Sequence, residues 1–196
     1  SSATYMQGNA ESQTGVQHDP ENLMLWRRSA RRLEAEIIRD SILSMSGTLD
    51  LTQFGKGTLD ERSKRRSVYF TVKRSRLIPL LKLFDAPDAM QGIATREQST
   101  VAPQALALLN SPLIREYATS FAERIRSKED MTDQKIIHAA YELALSRPAN
   151  ADEIETMTQF IQSQVETRAE DANAHQLAVR DFCHLVLCMN EFVYID

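Results

Sequence analysis

The chain is 196 residues long, 42% apolar and 26% charged, with a formal net charge of −4. This suffices for one large domain with its own core, and no apolar run reaches the roughly 18 to 20 residues of a membrane-spanning helix. The charge is unevenly spread: residues 27–76 carry a net +7 and residues 77–196 a net −8, which suits self-docking, a domain partner or a polyanion at the basic half.

Residues 1–18 are polar and read as an N-terminal arm, with residues 19–196 forming a single helical domain. The start SSATYMQGNAESQTG lacks the basic and apolar segments of a secretion signal and reads as a chain cut from something longer. From Asp19 to Gly47 the chain predicts one long helix, at about 20–46, around which the rest is organised. Asp19 caps it, Pro20 suits its first position and Gly47 stops it. Leu23, Trp26, Ala30, Leu33, Ile37, Ser41 and Met45 share one face at three- and four-residue steps. Glu34 interrupts that stripe. Arg stems covering apolar surface while their heads pair with Glu34, Glu36 or Asp40 is one account; a buried Glu34 usable as acid or base is the other.

Residues 48–64 read as a flexible surface loop. Gly55-Lys56-Gly57-Thr58 lacks the spacer and strand of a phosphate-binding loop. RRSVYFTVKRSR (65–76) alternates Val68, Phe70 and Val72 with Tyr69, Thr71 and Lys73, the pattern of a strand. Its partner is expected to be the C-terminal EFVYID, with Ala3–Gln7 as the competitor. Ser75 to Phe84 reads as a short helix with Pro79 near its start, stopped before Pro87. Ser99 or Thr100 caps the next, which buries Leu106, Leu108 and Leu109. Ser111 with Pro112 starts a helix carrying Ile114, Tyr117, Phe121 and Ile125 inward. Thr132 starts another on Ile136, Ile137, Ala140, Tyr141 and Ala144. Asn150 with Glu153 forms a capping box for a helix to about Arg168. The last helix runs from about Ala174 to Asn190, apolar nearly all round in its second half. The fold class is therefore mainly α, a multi-helix domain with one short strand pair.

Four stretches, RRLEAEIIRDSILSMSG, RRSVYFTVKRSRLIPLLKLFDAPD, TVAPQALALLNSPLIREYA and YELALSRPANADEIE, occur in that order, and NEFVYID closes the chain. Together they resemble the C-terminal domain of unknown function of planctomycete proteins that carry cytochrome-c-type modules, the PSD-one type. The resemblance implies an extracytoplasmic fragment of an exported multidomain protein, with upstream domains as partners. It also implies haem in an upstream module and no cofactor in this chain. It brings no catalytic residues. Cys183-His184 lacks a second cysteine at position 180, which is Arg180, so covalent haem attachment here is not expected.

His184 and Cys188 are four residues apart on one helix face, and Asp181 precedes His184 by three, which makes these three the weak metal-ligand candidates. A buried, hydrogen-bonded His184 is the simpler reading. Cys183 and Cys188, five apart on one helix, point away from each other and are expected to remain thiols. No nucleophile elbow is present, and carboxylates four apart on one helix cannot flank a scissile bond. The expected function is a non-catalytic scaffold or interaction domain. Its candidate interaction surface is Arg32, Glu34, Arg39, Arg65, Arg66, Tyr69, Lys73, Arg74 and Arg76. An extracytoplasmic enzyme or substrate-binding part acting on polysaccharide is the alternative, favoured by a deep polar pocket uniting Arg32, Glu34, Arg39 and Arg66. Nucleic-acid binding through residues 62–76, with Tyr69 stacking a base, is the second alternative and the less favoured.

Overall fold

Apolar periodicity and capping chemistry build the C-terminal half as the sequence implies. In the computed structural model, which describes residues 6–8, 10, 12–73, 76–87, 94–96, 98–127 and 131–195, four helices form the core. They are α5 (Pro112–Arg126), α6 (Asp133–Leu145), α7 (Ala151–Thr167) and α8 (Ala174–Leu187). Ser111 Oγ accepts from Ile114 N at the start of α5 and Thr132 Oγ1 accepts from Lys135 N at the start of α6. Asn150 and Glu153 cap α7 reciprocally, Glu153 N to Asn150 Oδ1 at 2.9 Å and Asn150 N to Glu153 Oε2 at 2.8 Å. Helix α8 lies against both α5 and α7. Its Ala178, Val179, Phe182, Cys183, Val186 and Leu187 are fully buried, because a helix enclosed on several sides needs apolar residues all round. Arg147 ties the end of this layer together, with Glu153 at 2.7 Å and Glu191 at 2.6 Å.

The N-terminal half departs from the expected long helix at about 20–46. Its helices are α1 (Gln13–His18) and α2 (Ala35–Met45), separated by turns and a two-residue strand β1 (Arg31–Arg32). Asp19 does cap, but it caps a turn: its carboxylate accepts from Leu23 N and Met24 N. Asn22 and Leu25 then adopt left-handed φ values of 57° and 54°, and the Asn22 side chain bonds Arg27 O, Arg27 N and Ser29 Oγ. Those local bonds compete with the helical ladder and end it. Leu23 is 78% exposed and Ile37 is also exposed, so the long stripe is not a buried face. Gly47 does terminate α2, at φ +71°. On α2 itself Ala35, Ile38, Ile42 and Leu43 face the core.

The C-terminal residues pair, but with a different partner. After the short helix α9 (Asn190–Val193), strand β2 (Tyr194–Ile195) lies antiparallel to β1, Arg31 opposite Ile195 and Arg32 opposite Tyr194. Leu33 N donates to Val193 O at 2.7 Å, which extends the contact to the start of α2. Residues 3–5 of the competing segment Ala3–Gln7 lie outside the described residues.

Residues 65–73 are not a strand. They hold a 3₁₀ turn (Ser67–Tyr69) and isolated parallel bridges, Asp50 with Arg65 and Thr58 with Phe70. Val68 and Val72 are 71% and 76% exposed. Tyr69 O and Thr71 N pair with the backbone of Thr58, and side chains of α2 satisfy groups earlier in the segment. Asp40 Oδ1 accepts from Ser67 N and Ser67 Oγ, both at 2.7 Å, and Arg39 donates to Arg65 O and Ser63 O.

The remaining helices are α3 (Pro79–Leu83) and α4 (Ala102–Asn110). Val101, not Ser99 or Thr100, occupies the N-cap of α4. Both hydroxyls are engaged elsewhere: Ser99 Oγ donates to Asp85 and Thr100 Oγ1 lies 3.0 Å from Tyr194 Oη. On α4 Leu108 is buried, while Leu106 and Leu109 are exposed.

Candidate functional site: a groove beside helix α2

A groove of about 670 Å³ runs between α2 and the 66–72 segment. Ile37, Val68 and Val72 give it exposed apolar surface, Phe70, Met45 and Leu81 contribute further apolar walls, and Glu34, Glu36, Asp40, Arg66 and Arg96 edge it. Helix α2 supplies Glu36, Ile37 and Asp40 from successive turns, and Glu34 stands at its N-cap. The 3₁₀ turn throws Val68 outward while Ser67 is drawn in.

The charges around this groove are internally matched. Arg96 reaches Glu34 at 3.1 Å and Glu36 at 2.7 Å, and Arg31 lies 3.8 Å from Glu34. Asp40 is shared by Ser67, by Arg39 at 3.5 Å and by Arg66 at 3.6 Å. These carboxylates thus already accept from groups within the fold; of the serines lining the groove, Ser41, Ser44 and Ser67, the last donates its hydroxyl to Asp40.

Of the described residues of the candidate interaction surface, two are buried. Arg32 inserts beneath the loop after α3, pairing with Asp85 at 2.6 Å and lying 5.4 Å from the Phe84 ring centroid. Arg39 lies over Phe70 at 4.5 Å and donates to Arg65 O at 2.9 Å, Ser67 Oγ at 3.2 Å and Ser63 O. Burial lowers the Arg39 pKa from its ordinary value, with Tyr117 and Asp40 pulling the other way. Burial raises that of Tyr117. The pocket uniting Arg32, Glu34, Arg39 and Arg66 is thus not assembled; Glu34 and Arg66 alone of these line the groove.

Arg65 is an organiser rather than a free cation. Its guanidinium stacks 3.6 Å from the Tyr69 centroid and donates to Thr52 O, Phe54 O and Lys56 O, while Tyr69 Oη accepts from Phe54 N at 2.8 Å. The loop at 52–57, flexible by its composition, is thereby tied down, and the stacked face of Tyr69 is covered. Lys73 and Arg76 are exposed; Arg74 lies outside the described residues.

Of the weak metal-ligand candidates, His184 and Asp181 have other partners. His184 Nε2 lies 3.0 Å from Leu108 O, and Asp181 accepts from Arg168 and from Arg180 at 2.7 Å. Cys188 is the C-cap of α8. Among the described residues, no three His, Cys, Asp or Glu side chains gather as a metal-binding group. Both cysteines are free; burial pushes the Cys188 thiol up to about 11 and raises Cys183 as well. No described helix is long and apolar enough to cross a membrane.

Missed in the sequence were Arg96 and Asp85, the partners that neutralise Glu34, Glu36 and Arg32. Both sit in polar loop sequence 60 and 53 residues from the groups they bind, so no local pattern marks them.

Taken together, the fold and the groove define a mainly helical domain in which the charges edging the groove are paired with one another and an exposed apolar strip borders α2. The chain belongs to the PSD1 family, proteins of unknown function (DUF1553), whose family model matches residues 1–161. No curated protein and no solved structure matches it. The matched span covers the groove and ends within α7.

Proposed function

We propose that this chain is a non-catalytic helical interaction domain of a larger exported protein, and that the groove beside α2 is its contact surface toward upstream parts of the same polypeptide. In this reading any haem chemistry belongs to an upstream module, and the domain works outside the cytoplasm. The observation that carries it is the combination within one groove of exposed Ile37, Val68 and Val72 with carboxylates already held by Arg96 and Arg66. Apolar surface with a satisfied polar edge is what a protein interface needs, since the apolar part gains from burial and the edge needs no new partners. Chemistry demands the opposite, polar groups left available for substrate.

The test uses the full-length protein with a photoreactive amino acid in place of Val68, and a second version with it in place of Gln159 on the exposed side of α7. Cross-links from position 68 to upstream segments, without equivalent ones from position 159, support the reading. Equal or absent cross-linking from position 68 overturns it.

A further inference from the structure

A second cavity, of about 320 Å³, adjoins the groove at Phe70, Val72 and Leu81 and differs from it in character. Its apolar wall is made by Phe70, Leu77, Ile78 and Leu81, three of them half-buried and Ile78 buried. Three cations, Lys73, Arg76 and Lys82, stand in the same lining, all exposed. The backbone bridge between Lys73 and Arg76, with Arg76 N donating to Lys73 O at 3.1 Å, holds two of them at neighbouring positions. None of the three forms an ion pair with a described residue, unlike the arginines of the groove. The single carboxylate in the lining, Glu36, is already bound by Arg96 at 2.7 Å.

An apolar wall with unmatched cations fits one kind of ligand, and we propose that this cavity binds a small organic anion with an apolar body, an alkyl or aryl carboxylate. Its volume falls at the lower end of small-molecule sites, roughly 300–1,000 Å³. The apolar body would lie against Phe70, Leu77 and Leu81 and the carboxylate, ionised at neutral pH, would meet Lys73, Arg76 or Lys82. A neutral ligand leaves the cations unused, and a small inorganic anion leaves the apolar wall in water. This site goes beyond the contact-surface reading and stands without it, because its lining includes Lys73, Arg76, Leu77 and Ile78, which the groove lacks.

Calorimetric titration of the whole chain with decanoate tests it, alongside decanol, decyltrimethylammonium and acetate. The expected result is saturable binding of decanoate, weakened by added salt, with acetate and decyltrimethylammonium not binding and decanol binding more weakly. The variant Lys73→Glu/Arg76→Glu should lose about tenfold in decanoate affinity, since reversing two rim charges turns attraction into repulsion, and keep the wild-type affinity for decanol. Both positions are exposed, so its melting curve should match the wild type; methyl shifts on decanoate binding should centre on Leu77, Ile78 and Leu81. Absent saturation with decanoate, equal binding of the neutral and cationic amphiphiles, shifts centred elsewhere, or an unchanged decanoate affinity in the double variant each overturn the proposal.

Discussion

The two halves of this chain are held together by different physics. From α5 to α8, apolar side chains recur at helical spacing and meet in one core, with caps at the helix starts. From residue 19 to residue 87 much of the backbone is irregular, and arginines fasten it: Arg32 to Asp85, Arg39 to the carbonyls of Ser63 and Arg65, Arg65 to those of Thr52, Phe54 and Lys56. The helical half coheres by burial, which is non-directional and redundant. The irregular half coheres by a few directed groups, so one substitution there should release a whole segment. The irregular half is also where the apolar groove and the cation-lined cavity lie.

The largest effect should come from the helical core. Phe182 is fully buried on α8. Phe182→Ala should cost about 3–5 kcal/mol and lower the melting temperature of the entire domain, α2 included. A loss below about 1 kcal/mol in denaturant unfolding would show that α8 is not the centre of the packing.

Removal of residues 192–196 is the next test. Phe192 and Val193 are buried and β2 pairs with β1. The truncated chain should be destabilised and exchange faster at Arg31–Leu33, whereas a clipped tail without structural role would leave the melt in place.

Arg39→Ala comes third, at about 2–4 kcal/mol, because it removes several charged hydrogen bonds from a buried site and leaves carbonyls without partners. Its signature should be local. Limited proteolysis should open the 50–73 segment while α5–α8 stay resistant; a uniform loss would erase the distinction between the halves.

Acid probes the arginine pairing at the end of the helical half. The hydrogen bonds from Arg147 hold the Glu153 carboxyl below its ordinary pKa, against the opposing effect of burial. A group whose pKa is lowered by folding stabilises the fold above its unfolded pKa and loses that contribution as pH falls through the folded one. Stability should therefore decline below the ordinary glutamate range, and Arg147→Gln should make that decline shallower. An identical acid profile in the variant would remove this pair from the account.

The smallest expected effect is chemical. Cys183 is buried with its thiol pKa raised, and Cys188 is raised to about 11. Both should react slowly with a thiol reagent in the native protein and quickly after denaturation.

How far the sequence could be read follows from the same division. The starts at Ser111, Thr132 and Asn150 were legible because a cap and the helix it serves lie within four residues, and the inward faces of α5 and α6 follow a local period. The segment from Asp19 to Glu34 carried that period too, yet Asn22 and the pairing of Arg31–Arg32 with Tyr194–Ile195 outweighed it. Val68, Phe70 and Val72 alternate as a strand does, but Ser63, Arg65 and Ser67 just before them are held by Arg39 and Asp40 of α2, 24 to 28 residues earlier. Of the candidate surface, Glu34 and Arg66 were placed together; Arg32 and Arg39 were drawn inward by partners that only the fold brings near.

Hydrogen exchange on wild type and Arg39→Lys tests the central claim that directed side-chain bonds from Arg39, together with Asp40, fasten the 58–71 segment to α2. Lysine keeps the charge but not the fork of donors that spans Ser63 O, Arg65 O and Ser67 Oγ. The account expects faster exchange at Thr58, Ser67, Phe70 and Thr71 in the variant, with Phe182, Cys183 and Val186 of α8 unchanged. Unaltered protection at 58–71, or acceleration spread equally through α8, would contradict it.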